Sequence, residues 1–335
     1  MEPLLFIPIV LSFFATFIFL PYWIKKAGKI GLLWEDMNKS EKPKVAGSGG
    51  LIVIFGFILG VLVYISFKTF YFHSENHVLE IFALTSTLLI LSLTGLTDDL
   101  LGWWHGGLSK KLRIMLCLFA AVPLMVINAG DSRIIIPFID GTNLGLIYAL
   151  IIVPIGVIGA STTFNFLAGY NGLEAGQGIL LIGALSIVSF FTGNTWITVI
   201  GLCMIASLFA FIIFNKFPAK VFPGDVLTYS IGGLVAFMAI FGNFEKIAIF
   251  FFIPYILEVI LKLRGGLKMQ SFGKPNKDNS LELKYDKIYG LEHLSLFLLK
   301  KIKHKVYEKD IVYSIYAFQI IIIAIGFLLF WQHIF

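Results

Sequence analysis

The sequence predicts an all-α polytopic membrane protein of about ten transmembrane helices, and three observations carry that prediction. Of its 335 residues, 58% are hydrophobic and only 14% charged, against roughly 25% charged in an average soluble chain. Mean hydropathy is +0.89. So little polar surface cannot clothe a water-soluble core of this size, and disorder, coiled coil and a disulfide scaffold are excluded with it. The second observation is the number of long apolar segments, and the third is the side on which the basic residues fall.

A spanning helix needs about 20 mostly apolar residues. The candidate segments run over 4–24, 48–67, 78–97, 112–127, 144–163, 178–192, 196–214, 226–241, 247–263 and 311–331, the fourth and sixth being short. The first lacks a basic leader and a cleavage site and reads as a retained span. No charge occurs between Glu174 and Lys216, which suits two spans joined by Thr192-Gly193-Asn194-Thr195. Cys117 and Cys203 lie inside apolar runs, so no structural disulfide is expected.

Of the 26 Lys and Arg residues, 23 fall in the odd-numbered loops and adjoining helix ends, leaving Lys68, Arg133 and Lys246 on the opposite face. The positive-inside rule then puts the odd loops in the cytoplasm and both termini outside. The net charge of +6 has the same cause, and no nucleic-acid partner is expected. The chain reads as one transmembrane domain, 1–335, with a cytoplasmic subdomain at 264–310 between the ninth and tenth spans. Within that loop, Leu281 to Tyr285 alternates like a strand and predicts a small hairpin. The stretch 291–306 sets Leu294, Phe297, Leu298 and Ile302 against Lys300, Lys301, Lys303 and Lys305. This basic amphipathic helix suits either the lipid headgroups or a solvated face packed on the domain.

The same face gathers the unusual polar residues. Glu35-Asp36-Met37-Asn38-Lys39 and Gly47-Ser48-Gly49-Gly50 lie in the first loop, Asp98-Asp99 at the end of the third span, Asn165 to Gly178 in the third odd loop, and Phe217 to Asp225 in the fourth. Adjacent carboxylates at a helix end read as a solvated terminus, a structural ion pair or a site. Oxygen ligands at an aqueous mouth suit Mg²⁺, with phosphates and water completing its octahedron. A carboxylate 4 Å from a phosphate charge is repelled by about 4 kcal/mol at an effective dielectric of 20. Asp98, Asp99 and Asp225 could therefore face a phosphorylated substrate only with a divalent cation or lysines between them. Lys39, Lys111 and Lys220 are candidates, although a lysine here is more often a topology determinant. Asn165 and Asn171 could coordinate a cation or read a base edge. Phe222 could stack on a base or simply pack.

Asp98-Asp99, the run NFLAGYNGLEAGQG and the run FPAKVFPGD resemble the polyprenyl-phosphate N-acetylhexosamine-1-phosphate transferase superfamily. The unbroken NGLEAGQ and the order of the loops are most similar to its UDP-GlcNAc:dolichyl-phosphate GlcNAc-1-phosphate transferases. The resemblance implies a ten-helix fold with a cytoplasmic active site that transfers GlcNAc-1-phosphate from UDP-GlcNAc to dolichyl phosphate, or to another polyprenyl phosphate among the membrane lipids, releasing UMP. It implies Mg²⁺, with Mn²⁺ as alternative, on Asn165 and Asp225. Gly169 and Asn171 would read uracil, Phe222 would stack on it, and Glu35, Asp36 and Met37 would line the nucleotide pocket. Lys111 would meet the acceptor phosphate, and Asp98 and Asp99 would position or deprotonate it.

Two departures stand out. Eukaryotic relatives carry an Arg-His-Arg-type motif where this chain has Gln270-Ser271-Phe272-Gly273-Lys274-Pro275, and Gly102 replaces the usual asparagine after the acid pair. Arg264, Lys268 and Lys274 are the nearby substitutes, but a lysine cannot make a bidentate arginine contact. The departures point to an archaeal-type member, in the plasma membrane; a eukaryotic one would sit in the endoplasmic reticulum. Transfer to undecaprenyl phosphate is the alternative within the class, and a secondary transporter the alternative outside it. A homodimer is compatible with either.

Overall fold

The computed structural model describes residues 3–136 and 139–335, and helices dominate it. After a short 3₁₀ turn, α1 (Phe6–Ile30) leads into a hairpin of β1 (Leu33–Glu35) and β2 (Lys44–Ala46), then α2 (Gly50–Ser66), which continues as a π-helical turn over Phe67–Tyr71. Next come α3 (Val78–His105) and α4 (Lys110–Val126), and a hairpin of β3 (Arg133–Ile136) and β4 (Ile139–Asn143) that the sequence did not predict. A π-helical turn at Tyr148–Ile152 opens α5 (Val153–Phe164), followed by α6 (Leu173–Phe191), α7 (Thr195–Asn215) and α8 (Gly224–Gly242). The chain closes with α9 (Glu245–Phe251), α10 (Ile253–Arg264), β5 (Lys274–Pro275), β6 (Leu281–Glu282), α11 (Leu291–Lys300), α12 (Glu308–Leu329) and α13 (Trp331–Ile334).

Seven helices among the described residues are long and apolar enough to cross a membrane: Pro3–Ile30, Gly50–Tyr71, Val78–Trp103, Leu173–Phe191, Thr195–Asn215, Gly224–Gly242 and Glu308–Leu329. The other three expected spans are helical but shorter or broken. Helix α4 has 17 residues, and Tyr148–Phe164 is a shorter apolar helix. The ninth breaks at Phe252 into pieces of 7 and 12 residues. Pro254 enters at the first turn of α10, where it lacks the N–H to continue α9. The Gln319 side chain of α12 donates 2.9 Å to the Phe251 carbonyl at that break.

Helix α8 lies at the centre: 83% of its apolar window is buried, against 28% for α1 and α12 at the periphery. It packs on α2, α3, α5 and α6. Small residues permit this. A Cβ on Gly95 of α3 would stand 2.4 Å from the Asp225 and Val226 backbone, the close approach that glycine allows between membrane helices. That crossing presses the end of α3, with its acid pair, onto the N-terminus of α8.

The last loop departs from expectation in extent. Its hairpin pairs only Lys274 with Glu282 and Pro275 with Leu281. Helix α11 stops at Lys300, because Val306 turns extended to accept from Leu281 N at 2.8 Å. Its buried face is Leu291, Glu292, His293 and Leu296, while Phe297, Leu298 and Ile302 are exposed among the lysines. Glu258 pairs with Lys262 one turn along, at 3.4 Å. Both cysteines are free and buried.

Candidate active site

The turns at one end of the bundle are tied to each other before any ligand is considered. Phe222 N donates to Ala46 O at 2.7 Å, and Gly49 N and Gly50 N donate to Phe222 O and Pro223 O, each at 2.9 Å. The α7–α8 turn is thus stitched to the β1–β2 hairpin. Behind it, Lys39 is salt-bridged to Asp36 at 3.1 Å and to Glu308 at the start of α12. Asn38 donates to Gly169 O at 3.1 Å and accepts from Gly273 N at 3.3 Å. One buried polar network therefore holds the first, third and fourth odd loops and both ends of the last.

These turns enclose a cavity of about 700 Å³, within the range of small-molecule sites. Glu35, Asp36, Met37, Asp99, Asn165, Gly169, Phe222 and Asp225 all line it, with Trp34, Tyr170, Gln270 and Phe272 among the other lining residues. Most of the expected site residues therefore meet, although they come from four loops far apart in sequence.

Asp99 accepts from Ser48 Oγ at 2.8 Å and from Asp225 N at 2.9 Å. The second contact caps the positive end of α8 with a carboxylate, which is favourable there. Gly224 is required at this turn. Its φ is +72°, and a Cβ would stand 2.1 Å from Asp99 Oδ2. Thr228, one turn into α8, donates to Asn165 Oδ1 at 3.0 Å, which ties Asn165 to the first turn of the helix that carries Asp225.

Five carboxyl groups, those of Glu35, Asp36, Asp99, Glu174 and Asp225, line the cavity, and its described lining holds no Lys or Arg. Glu174 accepts from Gly169 N at 2.7 Å with one oxygen, and its other oxygen is buried without a hydrogen-bond partner. A phosphorylated ligand in such a wall requires added positive charge. The oxygen donors, the Asp225 carboxylate and the Asn165 amide, are those a hard cation takes. The residues present fit Mg²⁺. Among the described residues no group of three or more His, Cys, Asp and Glu forms a metal cluster, so the fit rests on this mixed pair with ligands from water and substrate.

Four expected site residues stand outside the cavity lining. Asp98 is not part of the lining, because neighbouring residues on a helix project about 100° apart, although its side chain lies within hydrogen-bonding reach of Asp225. It accepts from Leu108 N at 2.7 Å and Arg113 Nη2 at 3.0 Å. Asn171, expected at a base edge, lies behind the wall with its amide consumed. Its Nδ2 donates to Asp36 at 3.1 Å and Glu308 at 2.8 Å, and its Oδ1 accepts from Ala219 N at 2.6 Å. Both of its amide donors are taken, so none remains to donate to a base. Lys111 is exposed on the first turn of α4, and Lys274 is exposed on β5. Gln270 and Phe272 reach the cavity from the last loop instead.

Arg113 and Glu308 escaped the sequence reading because each sits among other charges that resemble topology determinants, and only their partners distinguish them. Glu292 and His293, on α11 within the last loop, are a further buried pair, 0% and 1% exposed. Burial, reinforced by the Glu258 charge, pushes Glu292 well above the ordinary carboxylate range. Burial and then the Lys262 charge pull His293 down.

An apolar helical bundle whose turns converge on one acid-lined cavity at its end defines an integral membrane protein with an enzyme-like site open to charged ligands. Residues 81–243 match the family described as Glycosyl transferase family 4. A protein of Saccharolobus solfataricus, provisionally named a UDP-N-acetylglucosamine--dolichyl-phosphate N-acetylglucosaminephosphotransferase, is 38% identical over 91% of both chains. A Dictyostelium discoideum protein of the same name is 24% identical, over 73% of this chain and 68% of its own. A phospho-N-acetylmuramoyl-pentapeptide-transferase of Halalkalibacterium halodurans is 26% identical, over 82% of this chain and 86% of its own. The chain belongs to this glycosyl transferase family, within the polyprenyl-phosphate N-acetylhexosamine-1-phosphate transferase superfamily.

Proposed function

We propose that the protein transfers GlcNAc-1-phosphate from UDP-GlcNAc to dolichyl phosphate, forming GlcNAc-diphospho-dolichol and UMP, the first step of lipid-linked oligosaccharide assembly for N-glycosylation. The observation that carries this reading is the convergence of the Asp99, Asn165, Phe222 and Asp225 turns on one acid-lined cavity, in a chain alike along 91% of its length to a relative named for that activity. Similarity to pentapeptide-transferases keeps undecaprenyl phosphate as the alternative acceptor. A secondary transporter is disfavoured, because the cavity acids lie at helix ends and turns rather than on broken helices near the midplane.

Asn165 and Asp225 would hold Mg²⁺, which when bound would neutralise charge on the donor diphosphate. The uracil lies between Phe222 and the Gly169 backbone, beside the Glu35–Met37 segment. Asp99 fixes the N-terminus of α8 and thereby the Asp225 side chain. An oxygen of the lipid phosphate attacks the β-phosphorus in line; that P–O bond forms as the bond to the oxygen bridging the α-phosphate breaks, and UMP leaves with the bridging oxygen. Positioning and electrostatics supply most of the acceleration in such a transfer. A phosphate monoester is already nucleophilic, so no aspartyl intermediate is needed. Net retention of configuration at phosphorus would refute this direct route.

The charge bias puts this end of the bundle in the cytoplasm and both termini opposite. In the ten-crossing topology, α4, Tyr148–Phe164 and the broken α9–α10 also cross. A 17-residue helix reaches about 25 Å at 1.5 Å per residue, which modest bilayer thinning accommodates. The decisive assay uses purified protein with labelled UDP-GlcNAc, Mg²⁺ and either dolichyl or undecaprenyl phosphate, reading lipid-extractable label and released UMP. EDTA should abolish product and Mg²⁺ restore it. No label with either acceptor would refute the proposal.

A further inference from the structure

We infer that Arg113 receives the phosphate of the lipid acceptor, holding it against the Asp98 side of the acid pair. This assignment rests on the transfer reaction proposed above and adds to it a residue that the sequence motifs do not mark.

Three observations support it. First, Arg113 is where lipid and acids meet. It lies in the first turns of α4, on the inward row continued by buried Cys117, Ala120 and Leu124. The next residues along the outer face, Ile114, Met115, Leu118 and Phe119, are 52%, 58%, 44% and 59% exposed. That apolar stripe suits acyl or prenyl chains, and it begins one residue after Arg113.

Second, the contact with Asp98 leaves donors over. Nη2 donates to Asp98 Oδ1 at 3.0 Å. Nε lies 2.6 Å from Oδ2 but without the alignment of a hydrogen bond. A guanidinium carries five N–H groups, so its Nη edge remains to face a second anion, and the side chain is 33% exposed. Arginine matches phosphate oxygens with two parallel donors, which lysine cannot do.

Third, the charges demand a cation at this point. Among the described residues, the cavity lining bears acids and no lysine or arginine. Arg113 lies within electrostatic reach of both Asp98 and Asp225. A phosphate beside Arg113 therefore has positive charge to offset the neighbouring carboxylates.

The test is a KM-against-kcat comparison in Arg113→Lys and Arg113→Gln. Each should raise the KM for polyprenyl phosphate by about tenfold or more, the cost of losing one charge-assisted phosphate contact, with the KM for UDP-GlcNAc unchanged. A fall in kcat with the acceptor KM unchanged would overturn the assignment and leave a purely structural ion pair. Should both variants fail to fold, the wild-type protein decides. Arg113, Arg133 and Arg264 are its three arginines, so phenylglyoxal modification can be mapped residue by residue. Polyprenyl phosphate should protect Arg113, while polyprenol, inorganic phosphate and UDP-GlcNAc should not. Protection by UDP-GlcNAc or inorganic phosphate instead, or by none of these, refutes the acceptor role. Absence of lipid-linked product in the wild type would fall on the transfer reaction alone, because the protection experiment reads binding without turnover.

Discussion

The approach of α3 to α8 at Gly95 permits a quantitative test. A methyl group added there would sit 2.4 Å from the Asp225 carbonyl carbon and oxygen and the Val226 nitrogen, where ordinary contact begins at 3.4 Å. All three obstacles are backbone, so no side chain can swing aside. In Gly95→Ala the helices must separate by about 1 Å, and the acid pair moves from the α8 N-terminus with them. Overpacking of this kind costs about 1–3 kcal/mol, which a bundle of this size survives. The 2.9 Å bond from Asp225 N to Asp99 would not survive it. A misplacement of about 1 Å costs about 10²-fold in rate. The assay is initial-rate transfer from labelled UDP-GlcNAc in nanodiscs, with thermal unfolding measured on the same preparation. Gly159→Ala, where nothing lies within 4 Å of the new methyl, is the control and should keep wild-type rate. A Gly95→Ala enzyme with wild-type kcat and melting temperature would refute the packing account of how the acids are placed.

Other outcomes follow from the same contacts. Asn165→Ala and Asp225→Ala should each abolish lipid-linked product while leaving the melting temperature within a few degrees; full activity in either would remove the cation assignment. Glu308→Ala takes from buried Lys39 one of its two carboxylate partners, leaving Asp36, and removes the acceptor of Asn171 N. Breaking a buried ion pair on one side costs about 3–5 kcal/mol, so its melting temperature should fall far more than that of Glu35→Ala, whose partner Lys42 is half exposed. The buried Glu292 gives a pH dependence. Between its ordinary 4.5 and its raised folded value, the folded chain keeps a proton that the unfolded chain releases. Stability therefore falls as pH rises from 4.5. Glu292→Gln should remove that fall, read as melting temperature against pH. His293 acts oppositely, gaining stability as pH rises through 6.5.

The acid pair shows how far the sequence carries. That Asp98 and Asp99 fall toward one end of the third span was legible from hydropathy; that Asp99 lines the cavity while Asp98 pairs with Arg113 was not. Adjacent side chains on a helix diverge by angle, and which direction is the interior depends on neighbours from other helices. Asn171 is a similar case. Its place in the NGLEAGQ run marked it as a ligand residue, yet the start of α12, more than a hundred positions later, takes up its amide.

The chain alone determined its solvent, the location of its helices and the end of the bundle where polar residues gather. Hydropathy and charge are local quantities that accumulate along consecutive residues, so each can be summed without knowing what lies opposite. Tertiary structure decided the break at Phe252, the extent of the last hairpin, the strut formed by Lys39 and Glu308, and which carboxylates face the cavity. Those depend on distance between segments remote in sequence, and a distance of 2.4 Å at Gly95 is a property of two helices together.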